Sequence, residues 1–471
     1  MDENIFDKLD FGPLKPLLDD DDITDISFCN RGQIWIRSLT QGSIRKQIPG
    51  VTAEFMEKLA FQCSNVMGTT FNNAKPFLDA ESTELRFNFV HQSIATNGIA
   101  CVIRKTPAKI RLKKEGLLKD NYFTQDIHDI LIKCVEGHCN ILVAGETGSG
   151  KTEFIKYLAS HTKQNEKIIT IEDTLELHLD KIFPERDIVA MKTNNVASYT
   201  DVLVTCMRQN PKWILLSEVR SAEAVSAVRN SISSGHNILS TIHADKASAI
   251  PYRLYSLMET DLDVNQFLNT IYRYIQIGVH IKAYYSKEYG KFHREVDEVV
   301  EFYVDEDNNP KSHTIYKKIY GKEPMQAKPS AHLIEYLENQ NIDISAVSNN
   351  MKDIYIESVI NSNIEKELKT AEQNKVSNVT QASTQPVNNV AKQNINPQSQ
   401  QINTLNNQVS IPKPVNIVPP IVNIPKPQVQ NVPKPVQQNI NIETNKQQAI
   451  SQVTAPPVIN PNNIASSQTN S

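Results

Sequence analysis

No two of the six cysteines (Cys29, Cys63, Cys101, Cys134, Cys139 and Cys206) stand in CxxC spacing, and only Cys134 and Cys139 lie close together. A tetrahedral zinc site built from two such pairs is therefore excluded, and reduced, mostly buried thiols in a reducing compartment are expected. No apolar run approaches the roughly 20 residues of a membrane span. The opening Met1-Asp2-Glu3-Asn4 lacks the charged-then-apolar order of a signal peptide. A soluble, cytoplasmic chain is expected, with any membrane contact made through partners or a surface patch. Nor is there a positive excess: the formal net charge is -4. Bulk charge thus does not hold the protein on nucleic acid, and interleaved aromatic and basic residues are scarce, so no direct nucleic-acid binding is expected. Hydrophobic residues make up only 39% of the chain, which implies an unpacked segment.

That segment is legible. No aromatic residue or glycine follows Tyr355, and from about Ile364 the composition falls to Asn, Gln, Pro, Val, Ile, Ser and Lys. Such sequence cannot bury enough apolar surface to offset its ordering entropy, so 364–471 reads as a disordered tail. Within it Pro-Lys-Pro recurs at Pro412, Pro425 and Pro433. The repeats read either as polyproline II docking motifs or as a plain spacer.

Four further zones precede the tail. Residues 1–106 mix strand-like runs (Ile34–Ile36, Ala100–Ile103) with an amphipathic helix from Glu54 to Met67, an α+β domain. Residues 107–122 form a basic linker, with Lys109, Arg111, Lys113 and Lys114 near Pro107. It reads as a solvated connection or as a contact to phosphates or anionic lipid. In 123–330 short apolar runs (Asn140–Ala144, Lys167–Ile171, Trp213–Leu216, Ile238–Ile242) alternate with helix-compatible sequence, the cadence of an α/β domain with a mainly parallel sheet. A helical extension occupies 331–363.

The most specific signal is Gly145-Glu146-Thr147-Gly148-Ser149-Gly150-Lys151-Thr152, a full GxxxxGK[ST] match between a strand and a helix. The glycines let successive N–H groups curl around phosphate oxygens, and the helix N-terminus adds partial positive charge. Lys151 then reaches the β- and γ-phosphates, and Thr152 coordinates Mg²⁺. ATP and Mg²⁺ are the expected cofactors.

Three segments follow in order. Ile168–Leu177 delivers Glu172, Asp173 and Glu176 at a strand end, where they read as Mg²⁺-linked acids or as a helix cap. Trp213–Val219 is an apolar strand ending in Glu218, the Walker B pattern. Ser234–Ala244 carries His236 and His243, each readable as structural or nucleotide-linked. With the P-loop, these resemble the type II and type IV secretion ATPase family over about residues 14–304.

The resemblance implies a RecA-like P-loop domain behind a smaller N-terminal domain. It casts Glu218 as the carboxylate orienting the attacking water, Glu172 as a further acid, and His243 as a γ-phosphate sensor; Thr152, Glu172 and Glu218 would hold the metal. Arginines that close the site match Arg86 and Arg104, with Arg208 and Arg220 as further candidates. Ser217 and Lys212 depart from the family pattern, where glycine and an acid are usual. Without a tetracysteine insertion or an Ala-Ile-Arg-Asn-type helix, the chain looks most like the conjugation and tight-adherence branch. The implied protein is a homo-hexameric motor working with inner-membrane secretion or pilus-assembly proteins and a coupling protein. The alternatives are a RecA-like ATPase acting directly on DNA and a nucleotide-gated scaffold with little turnover.

Overall fold

The computed structural model describes residues 9–356 apart from 30–31, 195, 259–262 and 355. The end of the helical extension and the Asn/Gln/Pro-rich tail lie outside the described residues, as does all of a second unit, Val387–Ser471.

In the N-terminal domain, alternation of apolar and polar residues produces six antiparallel strands: β1 (Ile23–Cys29), β2 (Gln33–Ser38), β3 (Gly42–Lys46), β4 (Phe77–Glu81), β5 (Leu85–Val90) and β6 (Ala100–Lys105). Their order is β3-β2-β1-β6-β5-β4. One face sends Ile26, Phe28, Ile34, Ile36, Phe87, Phe89 and Ile103 into a core shared with Met56, Leu59 and Cys63 of the helix Ala53–Val66. Thr52 caps that helix by accepting from the Phe55 N–H.

Because side chains alternate across a strand, the other face is the polar one. The register lines up Arg37, Asp25, Arg104, Arg86 and Glu81 across β2, β1, β6, β5 and β4. Three arginines and two acids thus form one cross-strand row on the face away from the helix.

The second domain is a nine-stranded sheet ordered β15-β14-β13-β12-β7-β11-β10-β8-β9. Its parallel part comprises β7 (Ile141–Gly145), β8 (Ile168–Glu172), β9 (Ile188–Lys192), β10 (Trp213–Val219), β11 (Asn237–Ile242) and β12 (Ile277–Ser286). An antiparallel extension adds β13 (Lys291–Val304), β14 (Pro310–Lys317) and β15 (Met325–Gln326). Both faces are covered. Ile141 and Val143 point into one core, with Phe154, Leu158 and Leu337; Leu142 and Ala144 point into the other, with Val225, Val228 and Ile271. Burial on both sides explains why these strands read as continuous apolar runs. This is a RecA-like α/β/α arrangement, as expected.

The connector is more than a solvated linker. It contains the helix Lys114–Lys119 and places Leu117 in the ATPase-side core. The helix Ala331–Asn339 packs Leu333 and Leu337 into the same core. Among the described residues, no helix is long and apolar enough to cross a membrane.

Candidate active site

Strand β7 ends at Gly145, and the helix Lys151–Ala159 begins immediately after the loop. Gly145, Gly148 and Gly150 all have positive φ (148°, 79° and 97°), conformations that only glycine adopts without strain. Close approach adds to the requirement: a Cβ on Gly145 would meet Ile281 O at 2.5 Å. Lys151 is buried and donates from Nζ to the carbonyl oxygens of Gly145 (2.9 Å) and Glu146 (3.0 Å). Burial lowers its pKa, while Glu218, Glu176 and Glu146 act in the opposite sense. Among the described residues it has no carboxylate ion pair. Thr152 donates from Oγ1 to Glu176 Oε2 at 3.3 Å.

Across the loop stands the carboxylate of Glu218. The β10–β11 register skips between Leu216 and Val219, a bulge holding Ser217 and Glu218. Bulges re-aim side chains at strand ends. Here Ser217 is buried, its carbonyl accepting from Thr241 Oγ1 (2.6 Å), and Glu218 emerges to contact His243 Nε2 at 2.7 Å. His243 Nε2–H donates to the Glu218 carboxylate, while Nδ1 lies 3.1 Å from Gly145 O and 3.4 Å from Lys151 Nζ. Lys212 sits at the other end of β10, where its carbonyl accepts from Asn237, so its departure from the family pattern is remote from the acid. His236 pairs with Ser234 Oγ at 3.0 Å.

A family model described as type II/IV secretion system protein matches residues 77–392. The chain belongs to that family. An uncharacterised protein of Bacillus anthracis is 29% identical over 284 residues, 60% of this chain and 64% of that one. The type IV secretion system protein VirB11 of Bartonella quintana is 34% identical over 203 residues, 41% of this chain and 53% of that one. The matches thus span about half to two thirds of these relatives' lengths. Among solved structures, the VirB11 ATPase of Brucella suis aligns at a TM-score of 0.32 and 24% identity, covering 61% of this chain and 91% of that one. The ATPase DotB of Legionella pneumophila aligns at 0.45 and 13%, covering 71% and 84%.

In this secretion-family chain, the acidic segment behaves differently from the reading that paired Glu172 with Mg²⁺. Glu172 is fully buried, and its Oε2 accepts from the backbone N–H groups of Glu176 (2.8 Å) and Leu177 (3.0 Å). Oε1 accepts from Thr170 Oγ1 at 2.9 Å. Burial pushes its pKa up to about 7 against those hydrogen bonds. Both oxygens are committed to shaping the loop that presents Glu176, and Glu176 is the carboxylate beside Thr152.

The polar face of the N-terminal sheet closes over this loop. Arg37, which the sequence reading passed over, lies against the P-loop crest: a Cβ on Gly148 would come 2.7 Å from its Nη1. Arg104 donates from Nε to Asp25 (2.9 Å) and reaches within 4.0 Å of Glu176. Glu81 pairs with Lys192 and accepts from the Leu175 N–H. Arg86 stands between Arg104 and Glu81 in the row but does not line the cleft. Arg208, exposed past the helix Tyr199–Met207, does not line it either, and Arg220 is paired with Asp173. Together the domains enclose a cleft of about 620 Å³, whose lining includes Arg37, Arg104, Arg111, Lys151, Thr152 and Arg294.

Register is what hid Arg37. Nothing local in Gln33–Ser38 marks it, and only the pairing of β2 with β1 puts it in line with Arg104.

Proposed function

We propose that this chain is the ATP-hydrolysing motor subunit of a type IV secretion or conjugation-like machine. It would act as a homo-hexameric ring, with inner-membrane secretion or pilus-assembly proteins and a coupling protein as partners. The observation that carries the reading is Lys151: a buried cation, turned back on two carbonyls, facing Glu218 and His243 beneath arginines of another domain. A site so poor in committed anions fits a triphosphate, and its left-handed glycines fit a backbone cradle.

Mg²⁺ bound with ATP supplies the positive charge that offsets the charge developing on the phosphate oxygens. Thr152 and Glu176 are the residues that would hold it, with Glu218 across the loop. Lys151 binds and orients the phosphates. Glu218 orients the attacking water and accepts its proton, and His243 fixes the Glu218 carboxylate and ties it to Gly145 of the P-loop. Glu172 acts as a positioning residue through the Glu176 loop. Arg37 and Arg104 bring the N-terminal sheet to the phosphates, so that turnover changes the interdomain contact.

The test is magnesium-dependent phosphate release, with mass in solution, for the full chain and Glu218→Gln. Turnover in a hexamer-sized species, lost in the variant, supports the motor. ATP binding without turnover above the variant leaves a nucleotide-gated scaffold. Turnover that requires added DNA favours direct action on DNA.

A further inference from the structure

The cleft holds more cation than its own acids satisfy. Arg111, on the connector, lines it with Arg37 from the N-terminal domain and Arg294 from β13. The Nε and Nη2 atoms of Arg111 are buried and have no hydrogen-bond partner among the described residues. Desolvated guanidinium N–H groups without acceptors are costly, and guanidinium groups sharing one opening repel each other. Burial lowers the Arg294 pKa, and Arg37 and Arg111 add to that effect.

The acids of the lining are engaged elsewhere. Asp25 accepts from Arg104, Asp120 from Lys291 and Glu153 Oε1 from Lys156, while Glu153 Oε2 is buried without a partner and leaves the cations still in excess. Glu176 accepts from Thr152, and Glu115 is exposed on the helix Lys114–Lys119. Just outside, Asp21 pairs with Lys109 at 2.5 Å.

We propose that Arg111 is a nucleotide-phosphate ligand that fastens the connector to the occupied cleft. The proposal rests on reading the cleft as a nucleoside-triphosphate site. The planar guanidinium carries Nε–H and Nη2–H as a fork suited to two phosphate oxygens, which a lysine could not match, and a turn of the side chain would bring that fork out to the nucleotide. One polyanion would then tie three parts of the chain together: the N-terminal sheet through Arg37, the connector through Arg111, and the ATPase domain through Lys151.

The experiment titrates a fluorescent ADP into the full chain, Arg111→Gln and Arg111→Lys, and records thermal unfolding with and without ADP. Arg111→Gln should raise Kd about tenfold or more, the loss of a charge-assisted hydrogen bond. Arg111→Lys should recover only part of that. Without nucleotide, the Gln variant should unfold at the wild-type temperature or above, because the cation it removes is unsatisfied there. A Kd within twofold of wild type overturns the proposal. So does a nucleotide-free Tm lowered by several degrees, which would assign Arg111 to the fold. If the wild type itself binds no ADP, the cleft is not a nucleotide site and the broader reading fails with it.

Discussion

Glu172→Gln separates a catalytic or metal-binding acid from a buried loop-former. In the folded chain burial holds Glu172 near pKa 7, against an ordinary value of 4.5. Below pH 4.5 the group is protonated whether the chain is folded or unfolded, and its contribution to stability is fully present. As pH rises from 4.5 towards 7, the unfolded chain releases the proton and the folded one keeps it. Stability therefore drains away across that window and is lost by about pH 7. A folded value near 7 against an ordinary 4.5 corresponds to about 3 kcal/mol. The hydrogen bonds allow the neutral form: Oε2 can accept both N–H groups as a carbonyl while Oε1–H donates to Thr170. A glutamine amide reproduces that pattern at every pH. Glu172→Gln should therefore match the wild type at pH 4 and exceed its Tm by about 6–12 °C at pH 8. Thermal unfolding followed by far-UV circular dichroism at both pH values reads this directly. An equal loss of stability at pH 4 and pH 8 would refute the argument, as would a variant less stable than wild type at pH 8.

Two substitutions probe the contacts around the site. Gly148→Ala puts a Cβ at a φ of 79° and within 2.7 Å of Arg37 Nη1. It should weaken ADP binding about tenfold, and Arg37→Ala in the same chain should not restore it, because the backbone strain of about 1–2 kcal/mol stays and a phosphate contact is lost as well; full restoration in a titration would place the whole effect in the clash and remove Arg37 from the phosphates. Gly137→Ala drives a methyl to within 2.4 Å of Leu337 Cδ2. It should destabilise the ATPase domain by about 1–3 kcal/mol in urea unfolding, and no change in midpoint would contradict the packing of the helix Ala331–Asn339.

What could be read without coordinates was local. The apolar runs ending at Ala144, Ile171, Leu216 and Ile242 became β7, β8, β10 and β11, because doubly buried parallel strands leave an unbroken hydrophobic signature. The helix from Glu54 to Met67 differs from Ala53–Val66 by one residue at each end. β9 escaped notice: it is an edge strand with mixed burial, and Ile188–Lys192 has no clean alternation. At the site, the residue types were legible but their division of labour was not. Glu172 and Glu176 lie four residues apart in one acidic segment, and only the turn of the loop decides which one is buried. The emergence of Glu218 likewise depends on a bulge that no residue pattern announces.

The row of Arg37, Asp25, Arg104, Arg86 and Glu81 has a mechanical consequence. Its members stand on five neighbouring strands laced by backbone hydrogen bonds, so they are teeth of one comb and cannot advance singly. A pull of a few tenths of an ångström on one tooth is a displacement of the whole sheet, with the helix packed behind it. In such a comb the stroke is set by the stiffness of the sheet rather than by the reach of any one arginine. Blunting one tooth would then lower the force with which the sheet is drawn in, and leave the distance it travels the same.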